Sequence, residues 1–207
     1  MTVWTAAGGA LRSYRWAPGL TLTGQELPGC PADRVLAALE ERAGSWLVLV
    51  EHRERVLSWR PGTAERPVPL GPPGALRAGA LARTSAGPQA ATLRPDGSVQ
   101  LHTLGTAGPA PEIGDGEPSL GIAMAGHRGG PTVALAGAGG VRLRLPAGGA
   151  SRRPRWWRPT LRPATQVALA MGEDWRLCLA AVVEGELQCW QEDAAYRWQA
   201  VGLPEQG

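Results

Sequence analysis

Apolar and polar positions alternate along this chain in short runs, each bounded by turn-forming residues. Alternation with a period of two over five to seven residues marks a half-buried strand. One set of runs, piece a, covers Val35 to Leu39, Leu76 to Leu81, Leu120 to Ala125 and Val167 to Met171. After a short turn a second set, piece b, covers Trp46 to Val50, Gln89 to Leu93, Thr132 to Ala136 and Leu177 to Val183. Tight turns follow at Asp96-Gly97, Gly139-Gly140 and Glu184-Gly185, where glycine supplies the positive φ that a two-residue hairpin demands. Piece c comes next (VLSW, VQLH, VRLR, LQCW), and a looser Pro-rich piece d closes each unit. In piece a, Leu120, Ile122 and Met124 share one face while Gly121, Ala123 and Ala125 share the other. A face pared to Gly and Ala fits where neighbouring sheets converge in a tapering all-β interior. The stretch Asp33 to Arg42, DRVLAALEER, has local helical character. Its alignment with the other pieces a predicts a strand instead.

The units recur at a fixed spacing. Gly19, Gly62, Gly105 and Gly148 lie 43 residues apart, with Asp193 in the corresponding place of the last copy. Glu54, Gly97, Gly140 and Gly185 form a second series, and Trp16, Trp59, His102 and Trp190 a third. Four strands in about 43 residues, repeated, is the arithmetic of a β-propeller. The prediction is one all-β domain over 1–207, a five-bladed propeller of four-stranded antiparallel blades. The repeats run over about 1–29, 30–71, 72–114, 115–162 and 163–207. The first copy begins at piece b and lacks piece a. Three explanations stand: a three-stranded first blade, a strand supplied from elsewhere, or a chain cut from a longer one. In each, the incomplete blade is a place for strand addition by a partner.

Composition sharpens this picture. The 29 Gly and 19 Pro among 207 residues suit frequent turns and exclude a helical bundle. Lys, Asn and Phe are absent, a bias that points to a high-GC bacterial genome rather than to adaptation. A net charge of +3 selects no class of partner. No apolar run approaches the roughly 18 residues of a membrane helix. The first twenty residues lack the features of a secretory signal. Three cysteines, Cys30, Cys178 and Cys189, have no framework spacing and read as reduced, buried thiols. The expectation is a cytoplasmic protein without membrane contact.

The last copy, VALAMGEDWRLCLAAVVEGELQCWQ, resembles the repeat of the regulator of chromosome condensation family. Asp96 to Leu101, DGSVQL, and Gly126-His127 are similar to WD repeats. Asp174-Trp175 and Arg176 stand where the first family has His-Ser, and no guanine-exchange residue is matched. The resemblance therefore implies a propeller architecture, in families whose members mostly bind other proteins.

The chemistry-bearing residues point the same way. His52, His102 and His127 fall in different units, and no nucleophile elbow, phosphate loop or His-Glu-x-x-His motif occurs. No enzyme activity, cofactor or metal site is expected. Cys178 and Cys189 flank a hairpin whose register sets Cys178 opposite Gln191 and Cys189 opposite Ala180. The two thiols are then a diagonal pair, unsuited to a disulfide. The one compositional anomaly is SRRPRWWRPTLRP, in piece d of the fourth unit. There Arg152, Arg153, Arg155 and Arg158 surround Trp156 and Trp157 with no acidic residue. Arg and Trp dominate interaction hot spots, so this outer strand is the candidate docking patch for an acidic protein surface. Its bland counterpart is a Trp packed between blades beside solvated arginines. Nucleic acid is the lesser alternative partner. The nine tryptophans also resemble those of tachylectin-type five-bladed lectins, in which indoles stack on sugar rings. The function expected is a non-enzymatic interaction scaffold, with a carbohydrate-binding propeller as the alternative.

Overall fold

The computed structural model describes residues 2–15, 23–63, 65–106, 110–127, 130–147, 154–172, 174–194 and 197–202. All regular structure among them is β, arranged in five antiparallel sheets taken in chain order. The first sheet holds β1 (Thr2–Ala7), β2 (Ala10–Arg15) and β3 (Thr23–Pro31). The second holds β4 (Arg34–Arg42), β5 (Ser45–His52), β6 (Arg55–Trp59) and β7 (Val68–Pro69). The third holds β8 (Ala78–Thr84), β9 (Gly87–Leu93) and β10 (Val99–Thr103). The fourth runs β11 (Gly121–His127), β12 (Gly130–Gly137), β13 (Gly140–Leu145), β14 (Arg155–Thr160). The fifth runs β15 (Ala164–Met171), β16 (Leu177–Val183), β17 (Glu186–Glu192), β18 (Trp198–Val201). Each sheet is a meander of strands that neighbour one another in sequence. Sheets one and two form one compact unit, Met1–Leu76, and sheets three to five form another, Arg77–Gly207.

Most sequence expectations hold at the level of strands. The stretch with helical character is strand β4, because its apolar residues find partners across a ladder with β5. The first sheet has three strands, as the missing piece a predicts. The third departs from the four-strand plan: its piece d makes only the Gln100–Glu112 bridge, with Ile113 N–H donating to Val99 O at 2.8 Å. Glycine and proline crowd that segment, and proline has no N–H for a ladder.

The turn series at 54, 97, 140 and 185 marks positive φ in every copy: 59° at Glu54, 87° at Gly97, 95° at Gly140 and 87° at Gly185. Of these four turns, Arg53-Glu54 and Glu184-Gly185 close as two-residue hairpins with positive φ at both positions. The other two turns differ from expectation. Asp96-Gly97 lies in a longer loop closed by Arg94 and Ser98. In the fourth sheet Ala138-Gly139 form the loop, and Gly140 opens β13.

Packing between sheets uses the predicted faces of piece a. Ile122 and Met124 of β11 join Leu93, Val99, Val133 and Leu135 in a core between sheets three and four. The opposite, small face of β11 meets sheet five, and a side chain at Gly121 would press on the Thr165 carbonyl. Gly126 is tighter still, because a Cβ there would overlap the Arg83 carbonyl of β8. A second core joins sheets four and five through Leu143, Leu179, Val183 and Trp190. Within the other unit, Leu11, Val48, Val50 and Trp59 form the core of sheets one and two. Trp59 and Trp190, equivalent in the repeat, are thus both buried between sheets. Trp16 lies outside the described residues.

Among the described residues one charged side chain is wholly buried. Arg142 of β13 is 0% exposed and reaches the 115–119 connection between sheets three and four. Its guanidinium pairs with Asp115 and donates to the Glu117 carbonyl at 2.9 Å and Ser119 Oγ at 2.8 Å. Arg158 of β14 closes the cluster, at 2.5 Å from Asp115 and 2.8 Å from Glu117. Burial alone would raise the Asp115 carboxyl. The charge of Arg142 and hydrogen bonds from both arginines outweigh that and hold it below the usual range.

The cluster makes two predictions. Asp115→Ala leaves a fully buried cation short of its main counter-charge and is expected to lower stability by about 3–5 kcal/mol. Arg142→Met keeps the volume without the charge and is expected to lose less; denaturant midpoints decide between them. Because the folded Asp115 value is depressed, its stabilisation is present at neutral pH. It is lost as pH falls through the folded value, below the roughly 3.9 of a free Asp. Asp115→Ala therefore flattens this limb of an acid-unfolding curve. Packing gives a further test. Gly126→Ala is expected to destabilise by about 1–3 kcal/mol or more. Gly74→Ala, whose Cβ meets nothing within 4 Å, leaves stability unchanged.

Candidate functional site

The Arg/Trp-rich stretch forms the outer strand β14, and its side chains divide between the two faces of that strand. Successive residues of a strand point to opposite faces. Trp156 accordingly packs against the core of sheets three and four, and Trp157 against the core of sheets four and five. Trp157 stacks on Trp198 with ring centroids 5.1 Å apart and an interplanar angle of 21°. Arg158 is committed to Asp115 and Glu117, and Arg162 to Glu184 with Nε at 2.7 Å from Oε2. Arg155 is exposed at the start of the strand. Arg152 and Arg153 lie outside the described residues. Of the six residues assigned to the patch, Arg155 and Arg158 are exposed, Arg158 while paired with Asp115 and Glu117, and Trp156 and Trp157 are half-buried.

Each histidine has its own partner. His52 Nδ1 lies 3.3 Å from Asp33, whose carboxyl is held low first by the backbone N–H of Arg53. His102 is buried with Nε2 3.0 Å from Thr92 Oγ1, and burial lowers its pKa. His127 Nε2 lies 3.2 Å from the buried Glu192. Among the described residues no group of three or more His, Cys, Asp and Glu side chains is placed to hold a metal ion. The cysteine register is as expected, Cys178 facing Gln191 and Cys189 facing Ala180. All three thiols are free; Cys30 is buried, but Cys189 is only half-buried and Cys178 is exposed. Cys178 alternates with Leu177 and Leu179, so burying those two turns its own side chain to solvent.

Two features that residue counting missed carry more chemistry. The first is the turn between β15 and β16, where Trp175 is 70% exposed. Its φ is +62°, a conformation that bulky side chains rarely adopt. The turn is braced: Gly172 N–H donates to Arg176 O at 2.8 Å, and Trp175 N–H to Gly172 O at 3.1 Å. Asp174 accepts from the Arg176 backbone at 3.2 Å and pairs with its guanidinium at 3.2 Å. The sequence signal for this site is the departure at Asp174-Trp175-Arg176 from the His-Ser of the repeat it resembles.

The second feature is a groove of about 430 Å³ between sheets one and two. One face of sheet one supplies its wall, in cross-strand rows. Thr2 stands beside Arg15, and Trp4 beside Ser13 and then Gln25. Trp46 of β5 faces Trp4 with ring centroids 5.6 Å apart at 58°. Gly44 and Pro61-Gly62, from two turns of sheet two, complete the rim. The ladder register explains why the space is open. Gln25 of β3 occupies the place that Trp157 holds in β14, and Ser13 that of Leu143. Between sheets four and five those larger residues and Trp198 fill the junction.

No protein-family model matches this chain, and no curated protein matches it in sequence. Solved structures do resemble it. Virginiamycin B lyase from Staphylococcus aureus superposes with a TM-score of 0.59 at 11% identity, covering 99% of this chain and 67% of that one. The β-propeller domain of Cps50 (Swd1) from Myceliophteria thermophila aligns with a TM-score of 0.49 at 13% identity, over 89% of this chain and 67% of that one. No helix among the described residues is long and apolar enough to cross a membrane. Five consecutive antiparallel meanders, with the lyase likeness, make the fold a five-bladed β-propeller.

Proposed function

We propose that this chain is a non-enzymatic interaction module that docks a protein partner through its turns, in the cytoplasm of a high-GC bacterium. The observation that carries this reading is Trp175, an indole held in solvent on a braced turn in left-handed backbone. Such strain costs of order 1–3 kcal/mol and persists at sites where the surroundings over-determine it. Tryptophan is also the residue most enriched at interaction hot spots. Arg155, exposed on β14, suits a partner with an acidic surface. Among the described residues β1 pairs with β2 alone, which leaves a ladder edge for strand addition. The engagement of each histidine within its own sheets or at one neighbouring junction supports a binding role over catalysis.

Carbohydrate binding is the second reading. The groove between sheets one and two favours it, because two indoles and several uncommitted polar side chains share one open space.

Trp175→Ala is expected to remove the partners recovered with the unaltered chain from the native host, by about ten-fold or more, with no loss of stability. Trp175→Gly removes them equally and raises stability by about 1 kcal/mol, since glycine adopts positive φ freely. Partner recovery that survives both substitutions would overturn the docking role of this turn.

A further inference from the structure

The groove between sheets one and two differs from its counterpart between sheets four and five in charge as well as in volume. No acidic side chain lines it, and Arg15 is its one charged residue. Arg15 is exposed, and with the described residues it makes no hydrogen bond or ion pair. Thr2, Ser13 and Gln25, on the same face of the sheet, likewise have no side-chain partner among the described residues. Elsewhere in the protein arginines are repeatedly matched to carboxylates: Arg12 to Glu26, Arg34 to Glu51, Arg60 to Glu41, Arg162 to Glu184. Among the described residues no carboxylate is matched to Arg15.

We infer that the groove binds a saccharide ring bearing a carboxylate, a hexuronic acid or a chain of them. The inference rests on the carbohydrate-binding reading above and names its substrate class. A pyranose has one face rich in C–H, which suits the indoles of Trp4 and Trp46. Its hydroxyls both donate and accept, and so do the side chains of Ser13, Thr2 and Gln25. The guanidinium of Arg15 supplies the planar fork that takes a carboxylate through two parallel N–H donors. The volume of about 430 Å³ lies within the range of small-ligand sites, and the groove is open enough for a chain to continue past it. Ser13 and Gln25 in place of leucine and tryptophan thus both make room for the ring and line that room with hydrogen-bonding groups.

Titration calorimetry with the full chain tests this, using glucuronic and galacturonic acid and their short oligomers against glucose, galactose and the methyl uronates. The acids are expected to bind about ten-fold more tightly than the neutral sugars and the esters, the worth of one charge-assisted contact. Arg15→Gln is expected to erase that difference, and Gln25→Trp to refill the groove and abolish binding of every sugar. Arg15 is exposed, so its variant folds, and a circular dichroism melt confirms this for both. Equal binding of acids and neutral sugars would overturn the carboxylate while leaving the carbohydrate reading in place. No binding by any sugar would overturn both. Binding that survives Gln25→Trp places the sugar elsewhere and overturns the groove.

Discussion

No sheet in this protein can bury both of its faces by itself, and that constraint shapes everything else. A lone antiparallel meander with apolar residues on alternate positions exposes a hydrophobic side to water. It becomes stable only when a neighbour covers it. Within each unit the cover is a neighbouring sheet, and among the described residues the three cores lie between sheets rather than within them. Strand β11 shows how it works. Its Ile122 and Met124 turn towards sheet three, and its Gly121 and Ala123 towards sheet five, so two backbones approach closely on one side while side chains fill the other. The buried Arg142 cluster is the polar version of the same arrangement. It ties a connecting segment down between two sheets and satisfies backbone carbonyls that would otherwise be buried without donors.

Much of this was legible in the order of residues, because a repeat tests itself. A strand in place of the helix-like Asp33 to Arg42 stretch follows only from its alignment with the other pieces a. The same alignment put Glu54 in the turn series, and the structure gives it a positive φ although no glycine announces one. Trp59 and Trp190 were readable as packing residues because they occupy one slot of one strand. Side-chain direction was less legible where a motif was read as a cluster. Trp156 and Trp157 are neighbours in sequence and therefore back to back in a strand, which sends them into two different cores. Arg142 alternates with apolar residues like any solvent-facing position. Only the fold-back of residues 115–119 buries it, and no local pattern encodes that.

The candidate sites were hidden for a related reason. A groove is an absence, made by residues smaller or more polar than those the repeat places elsewhere. Gln25 becomes informative only once the ladder register sets it level with Trp157, and the irregular β3 sequence, TGQELPGCP, offers no alternation from which to infer that register. Trp175 was visible as a departure from a repeat pattern, but its exposure and left-handed backbone belong to the turn and not to composition. Both sites sit where one copy has diverged from its siblings while the shared frame stayed fixed, which is how loops and junctions on a rigid scaffold acquire separate roles.

The ionic tether at Arg142 also bears on how resistance to opening is distributed. Its contacts span β13, β14 and the 115–119 connection, so none of these segments can fray without exposing a desolvated guanidinium. Sheet four should consequently exchange its amide protons last, while the two-residue β7 and the single-bridge segment at Glu112 open first. The chain is then mechanically graded along its length: its stiffest member lies at the fourth repeat, and the looser outer edges of the second and third sheets are free to adjust.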